Sequence, residues 1–177
     1  SRPAAAGEVV TWAIAAWGAA ASAAAAAISM GTTGRLVRMG GSLGRTEATG
    51  YGAVYCLREA LKELNIDVRN TTASVQGFGN VGSIGAQLMA REGCKIVAIS
   101  DRTGGWYNAK GIDIDDAIAY VKKHRSLEGY GKGDAITNEQ LLELEVDVLV
   151  PAALENVITT KNAKNIKAKI ICEGANG

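Results

Sequence analysis

The chain has 177 residues, with 19 Lys and Arg against 18 Asp and Glu, and a formal net charge of +1. This length suits one domain that buries about 70% of its unfolded surface. The balanced charge, without a Lys/Arg-rich block, excludes electrostatic support for nucleic-acid binding.

The three cysteines, Cys56, Cys94 and Cys172, are far apart in the sequence. No Cys-x-x-Cys pair or neighbouring His pair occurs, which argues against a disulfide framework and against a zinc site. A reducing cytoplasm therefore fits the chain best.

Alanine dominates residues 4–27. Because alanine is the best helix former, the composition predicts a helix there, although alanine offers little apolar area for a core. No basic region of a signal peptide precedes the segment, and alanine is too weakly apolar for a membrane span. The chain begins at Ser1 without an initiator Met, and we expect it to be a fragment of something longer.

A glycine-rich stretch, residues 31–52, leads into a helical pattern. Val54, Leu57, Leu61 and Leu64 fall on one face of a helix that is predicted to run to about residue 65. The Thr-Glu pair at 46–47 is a plausible helix start, since the acid lies near the positive end of the helix.

Residues 72–82 have the pattern of a short strand that runs into a Gly-x-Gly-x-x-Gly turn and then a helix. Gly77 allows the sharp turn, Gly79 lets the backbone approach a pyrophosphate, and Gly82 lets the helix pack closely on the sheet. The helix start presents free N–H groups and the positive end of a dipole to phosphates. The predicted contacts of a bound dinucleotide are Gly77, Phe78, Gly79, Asn80, Val81 and Gly82.

A second apolar strand, residues 95–100, ends at Asp101, about 20 residues after the last glycine, where a carboxylate would meet an adenosine ribose. The alternative is that Asp101 is only a turn or cap residue. As a ribose contact Asp101 favours NAD, because it repels a 2′-phosphate, while the neighbouring Arg102 offsets this repulsion and leaves NADP possible.

Residues 103–111 are interpreted as a glycine-rich loop, and an amphipathic helix with an acidic start and a basic end follows from residue 113. His124, the single histidine, lies in that basic end, which favours a solvated tail over a catalytic base. Thr137 to Gln140 has the spacing of a capping box at the start of a short helix. Strands are predicted at residues 146–150, stopped by Pro151, and at residues 169–173.

Strands that alternate with helices predict an α/β fold, a Rossmann-like doubly wound and mainly parallel sheet with helices on both faces. Ligands of such sheets bind beyond the carboxyl ends of the strands. At those ends Ala152 and Ala153 allow close approach, and Asn156 and Asn176 can donate and accept hydrogen bonds. Turn formation is the alternative for both asparagines.

Four motifs, residues 40–52, 76–82, 151–159 and 174–177, resemble the glutamate dehydrogenases and, more broadly, the Glu/Leu/Phe/Val amino-acid dehydrogenases. The resemblance covers residues 28–177 and leaves out residues 1–27. It departs at 33–35, where Thr-Gly-Arg stands in place of the Thr-Gly-Lys-Pro of many members.

The resemblance implies that residues 28–177 form a dinucleotide-binding domain and that residues 1–27 lead in from a missing substrate domain. It implies that Thr49 meets the nicotinamide carboxamide, Asn80 the pyrophosphate and Asn176 the nicotinamide ribose. The family's catalytic lysines and aspartate belong to the substrate domain, so no catalytic residue is expected in this chain.

The implied reaction is the reversible oxidative deamination of L-glutamate to 2-oxoglutarate and ammonium, by hydride transfer to NAD or NADP, in a homohexamer. Glutamate as the substrate rests on the resemblance alone. Two alternatives stay open: a related dehydrogenase that acts on Leu, Phe or Val, and a non-catalytic nucleotide-sensing module.

Overall fold

The computed structural model describes residues 10–13, 45–154 and 156–175. The described strands are β1 (Val10–Ala13), β2 (Thr72–Gln76), β3 (Lys95–Asp101), β4 (Gly104–Tyr107), β5 (Asp134–Ile136), β6 (Val148–Pro151) and β7 (Ile170–Glu173). The described helices are α1 (Arg45–Glu63), α2 (Asn80–Arg91), α3 (Ile114–His124) and α4 (Asn138–Leu142), with short 3-10 turns at Val68–Asn70 and Ala163–Asn165.

The described strands form one sheet in the order β1-β7-β6-β2-β3-β4-β5. Neighbours from β1 to β3 pair in parallel, while β4 and β5 extend the sheet antiparallel to their neighbours. Strand β2 lies between β6 and β3, so the carboxyl ends of three parallel strands meet beside the glycine turn that follows β2. The predicted α/β fold with a mainly parallel sheet is confirmed.

Both faces of the sheet are covered, because alternate residues of its strands are apolar on either side. On one face Val75, Ile99 and Val148 pack in a core that also contains buried residues of α1, α2 and α3. On the other face Leu149 and Val97 pack with α4. The short predicted helix at 138 is present, and its capping box is complete: the Thr137 hydroxyl accepts from the Gln140 N–H, and the Gln140 side chain accepts from the Thr137 N–H.

The interpretation of residues 103–111 as a loop is wrong, because residues 104–107 form β4 and pair with β3. The two glycines of β4, Gly104 and Gly105, gave this segment the composition of a loop. A β-carbon on Gly105 would lie 2.9 Å from the Ile99 carbonyl oxygen and 2.9 Å from the Ser100 β-carbon. Glycine here serves close strand packing rather than chain flexibility, and Trp106 and Tyr107 are residues that strands favour.

A helix was expected over the alanine-rich segment, and this is wrong for residues 10–13, which form strand β1 against β7. The Val-Thr-Trp run at its start is β-branched and aromatic, and strand pairing outweighs the helix propensity of the alanines around it. Residues 14–27 lie outside the described part of the chain, and the domain boundary at residue 28 stays a prediction. None of the described helices is long and apolar enough to span a membrane.

Candidate functional site

The turn after β2 is held tightly by its neighbours. Gly77 has φ +95°, and a β-carbon there would lie 2.7 Å from the Ala153 α-carbon at the exit of β6. The N–H groups of Gly77 and Phe78 both donate to the Ser100 carbonyl oxygen, at 2.9 and 2.7 Å. Only glycine adopts this conformation in this space without strain, and the turn is fixed to the end of β3.

The start of α2 presents uncapped N–H groups to open space. Gly79 is the N-cap residue and provides no side-chain cap, and the first bond of the helix runs from the Ser83 N–H to the Gly79 carbonyl at 2.9 Å. A β-carbon on Gly79 would meet nothing within 4 Å. The first N–H groups of a helix have no acceptor within the helix, and they form the positive end of its dipole. This geometry suits a phosphate or another anion.

Gly82 has the opposite surroundings. A β-carbon there would overlap the Gly77 carbonyl oxygen and would lie 3.2 Å from Val75 Cγ1. The first turn of α2 therefore rests directly on the glycine turn and on β2. The close packing predicted for Gly82 is present, while Gly79 faces open space and its approach to a pyrophosphate stays a prediction. We call residues 77–82 the glycine cradle.

The end of α3 forms a second wall beside the cradle. The two walls enclose a depression of about 330 Å³. It is lined by Phe78, Gly79, Asn80, Ser83, Ile118, Val121, Lys122 and Arg125. Sequence reasoning missed Lys122 and Arg125 as site residues, because a basic helix end is explained by the helix dipole alone and no linear pattern shows that α3 ends beside α2.

Asp101 and Arg102 follow β3 at the same edge of the sheet. One carboxylate oxygen of Asp101 accepts from the Thr103 N–H at 2.7 Å, and the other accepts from the Leu127 N–H at 2.7 Å. Arg102 is exposed. Asp101 therefore has the turn-stabilising role that was the alternative to a ribose contact. Its contact with a ribose stays a prediction.

The exits of β6 and β7 complete the crevice. The Ala152 N–H donates to the Gln76 carbonyl at 2.7 Å, and the Gly174 N–H donates to the Pro151 carbonyl at 2.7 Å. Ala152 is half-buried and Ala153 is exposed, and their contact with a ligand stays a prediction. Asn156 is also exposed and has φ 57°, the left-handed conformation that asparagine adopts in turns.

The two residues assigned to the nicotinamide are not equally described. Asn176 lies outside the described residues, and Thr49 is described only by its backbone, near the start of α1. The next residue, Gly50, packs on α2: a β-carbon there would lie 2.7 Å from Ile84 Cγ2. The backbone at Thr49 is thus beside the helix that begins in the cradle.

The glycine cradle has features of an anion-binding site. These features are uncapped helical N–H groups, open space at Gly79, and the cations of Lys122 and Arg125 across the depression. The N–H groups and the two cations favour a negatively charged group over a neutral ligand, and the open space at Gly79 leaves room for it.

Comparison with known proteins identifies the family. The model of the Glutamate/Leucine/Phenylalanine/Valine dehydrogenase family matches residues 40–177. The chain is 53% identical over 146 residues to a glutamate dehydrogenase of Thermotoga maritima, covering 82% of this chain and 35% of that protein. It is 48% identical over 154 residues to an NADP-specific glutamate dehydrogenase of Synechocystis, covering 82% of this chain and 36% of that protein. It is 48% identical over 148 residues to an NAD-specific glutamate dehydrogenase of Bacillus subtilis, covering 82% and 34%.

Solved structures agree with the sequence comparison. The hetero-hexameric glutamate dehydrogenase of Thermus thermophilus matches with a TM-score of 0.72 at 32% identity, over 81% of this chain and 35% of that one. The glutamate dehydrogenase of Peptoniphilus asaccharolyticus matches with a TM-score of 0.64 at 40% identity, over 82% and 33%. The chain thus spans about a third of the length of these relatives. With a family model matched over most of its length, the chain belongs to the Glutamate/Leucine/Phenylalanine/Valine dehydrogenase family.

Proposed function

We propose that this chain is the cofactor-binding part of a glutamate dehydrogenase, which converts L-glutamate to 2-oxoglutarate and ammonium, reversibly, with NAD or NADP. The observation that carries the proposal is the open, uncapped start of α2 at Gly79. Relatives named glutamate dehydrogenase, with 48–53% sequence identity to this chain, support glutamate as the substrate.

The nicotinamide of the bound cofactor supplies the hydride chemistry, and the protein binds and orients it. In this chain the N–H groups of Asn80, Val81 and Gly82 would hold the diphosphate, while Ala152 and Ala153 leave room for the rest of the dinucleotide. By family resemblance Thr49 and Asn176 would orient the nicotinamide. The groups that hold the amino acid and move its protons would come from the substrate domain.

We propose NAD as the cofactor, with NADP also accepted. A carboxylate at Asp101 disfavours a 2′-phosphate, but the cations of Lys122, Arg125 and Arg102 offset that repulsion. Relatives named as NAD-specific and NADP-specific are almost equally similar to this chain, so the overall likeness does not decide between them.

The assembly and the location are also proposals. We propose an oligomer of like subunits, a hexamer, and the Thermus relative whose structure is described as hetero-hexameric supports that size. A reducing cytoplasm is compatible with the free, buried thiols of Cys94 and Cys172.

A substrate panel tests the proposed activity. We expect the intact protein to reduce NAD with glutamate at least ten times faster than with leucine, phenylalanine or valine. A faster rate with one of the three would instead assign the related dehydrogenase activity. Cofactor binding without reduction on any of the four would favour the nucleotide-sensing module.

A further inference from the structure

We infer that Asp101 is a positioning residue, whose carboxylate holds the turn after α3 in place as one wall of the cofactor depression. The inference rests on the proposed cofactor site. It assigns Asp101 a role in addition to its proposed effect on a 2′-phosphate: Asp101 would strengthen binding of an anionic cofactor through the cation of Arg125.

The carboxylate of Asp101 joins two turns. One oxygen accepts from Thr103 in the β3–β4 turn, and the other accepts from the Leu127 N–H at 2.7 Å. The side chains of Thr103 and Ser126 meet across the same junction at 3.3 Å. We call these four residues, Asp101, Thr103, Ser126 and Leu127, the turn latch.

The far side of the latch is anchored in the core. Leu127 is fully buried at 0% exposure, and its carbonyl accepts from the Trp106 Nε1–H at 2.8 Å. Both backbone groups of Leu127 are thus fixed, one by Asp101 and one by Trp106. Removal of the carboxylate would leave the Leu127 N–H without its acceptor, and a buried unsatisfied donor is unfavourable. The turn would therefore shift.

The latched turn carries the cation that faces the cradle. Arg125 ends α3 in the left-handed conformation, φ 63°, two residues before Leu127, and lines the depression with Lys122. On the opposite wall Gly77 and Phe78 donate to the carbonyl of Ser100. Two consecutive residues at the end of β3 therefore hold both walls: Ser100 holds the cradle, and Asp101 holds the turn with Arg125.

The two roles of Asp101 predict different effects of its substitution. A residue that reads the ribose and repels a 2′-phosphate should, when neutralised, raise affinity for the 2′-phosphorylated ligand relative to the unphosphorylated one. A residue that positions Arg125 should, when neutralised, weaken both ligands, because both carry the diphosphate that the cation faces.

The experiment is a double-mutant cycle on the intact protein with Asp101→Asn, Arg125→Ala and the double variant. Calorimetry gives the Kd of ADP-ribose and of its 2′-phosphate analogue. We expect Asp101→Asn to weaken binding of both ligands by roughly tenfold. It should change Kd by less than about twofold when Arg125 is already Ala, because residues coupled through a shared backbone shift are not additive. The slope of log Kd against log salt should fall in Asp101→Asn as it does in Arg125→Ala.

A matched control separates positioning from lost stability. Asp147→Asn neutralises a carboxylate at the opposite, amino-terminal edge of the sheet, and should leave both affinities unchanged. If Asp101→Asn does not fold, Ser126→Ala, which removes a weaker contact of the latch, should give the same pattern with a smaller change. Three results would overturn the inference: tighter binding of the 2′-phosphate ligand, equal losses in both Arg125 backgrounds, or unchanged affinity for both ligands. If the unsubstituted protein binds neither ADP-ribose nor its 2′-phosphate analogue, the proposed function is refuted instead.

Discussion

A β-carbon would have different consequences at each of the three glycines of the cradle. At Gly77 it would crowd Ala153, at Gly82 it would overlap the Gly77 carbonyl, and at Gly79 it would enter open space. The first two glycines maintain the turn and its packing. Gly79 keeps space free above the helix start, so its role concerns the ligand rather than the fold.

Gly79→Val should abolish cofactor binding and leave the fold intact. The valine side chain would occupy the space in which a diphosphate meets the N–H groups of α2, and we expect Kd to rise by roughly 100-fold or more, about 3 kcal/mol. Calorimetry with NAD measures the affinity, and circular dichroism checks the fold. Unchanged affinity in a folded variant would contradict the assignment of the cradle.

Two further glycines of the same helix provide controls for that measurement. Gly85 lies in α2 outside the lining of the depression, and a β-carbon there would also meet nothing within 4 Å. The Gly85→Ala variant should therefore bind NAD as tightly as the unsubstituted protein. Gly82→Ala should instead lose stability, by about 1–3 kcal/mol or more, because the helix must move away from the turn. Urea unfolding distinguishes these effects.

At the scale of elements, three parallel strands are tied together at their amino ends by one carboxylate. Asp147, just before β6, accepts from the Thr72 N–H of β2 at 2.8 Å, and Lys169, just before β7, donates to it at 2.7 Å. Burial acts to raise the pKa of Asp147, but the hydrogen bonds from Lys169 and Thr72 outweigh burial and hold that pKa below its usual value. This tie fixes the start of the strands whose opposite ends form the crevice.

The lowered pKa makes the contribution of Asp147 to stability depend on pH. A group with a depressed folded-state pKa stabilises the protein above its unfolded pKa, about 3.9, and loses that contribution as pH falls through the folded value. Asp147→Asn should therefore be less stable by about 1–2 kcal/mol at pH 7. The difference should shrink below about pH 4, as measured by urea unfolding of both proteins at several pH values. A difference that stays constant down to pH 2 would show that the charge of Asp147 does not matter.

The elements that the sequence predicted well are those whose patterns arise from local rules. The glycine cradle, the helix after it and the capping box at Thr137 follow from turn geometry, helical spacing and side-chain caps. Strand β4 and the latch at Asp101 depend on partners distant in the chain, such as Ile99 for Gly105 and Leu127 for Asp101. No local pattern contains those partners, so the sequence reading left β4 as a loop and missed the latch.

At the scale of the whole molecule, the chain spans about a third of the length of its relatives. Its described crevice contains small residues, asparagine, a carboxylate and two cations, and Lys161, Lys164 and Lys167 lie exposed. Proton transfer needs a positioned group of suitable pKa, and hydride transfer needs the amino acid held against the nicotinamide. Both are expected from the substrate domain.

We therefore expect the 177-residue chain, purified alone, to bind NAD but to produce no NADH from glutamate. Calorimetry measures the binding, and absorbance at the NADH band measures turnover over hours. The Gly79→Val variant serves as the binding-negative control. Steady turnover that is lost on substitution of a residue within this chain would show that the active site lies here rather than in another domain.

The edge strand β5, next to β4, is only three residues long and is bounded on both sides. Before it, Gly133 has φ +154°, and a β-carbon there would overlap the Tyr107 carbonyl; after it, Thr137 already begins the cap of α4. The strand therefore cannot lengthen in either direction. An exposed sheet edge offers unpaired backbone groups to strands of other molecules, and a short edge offers few. The same glycine and cap that define β5 thus protect this side of the sheet from aggregation by edge-to-edge pairing.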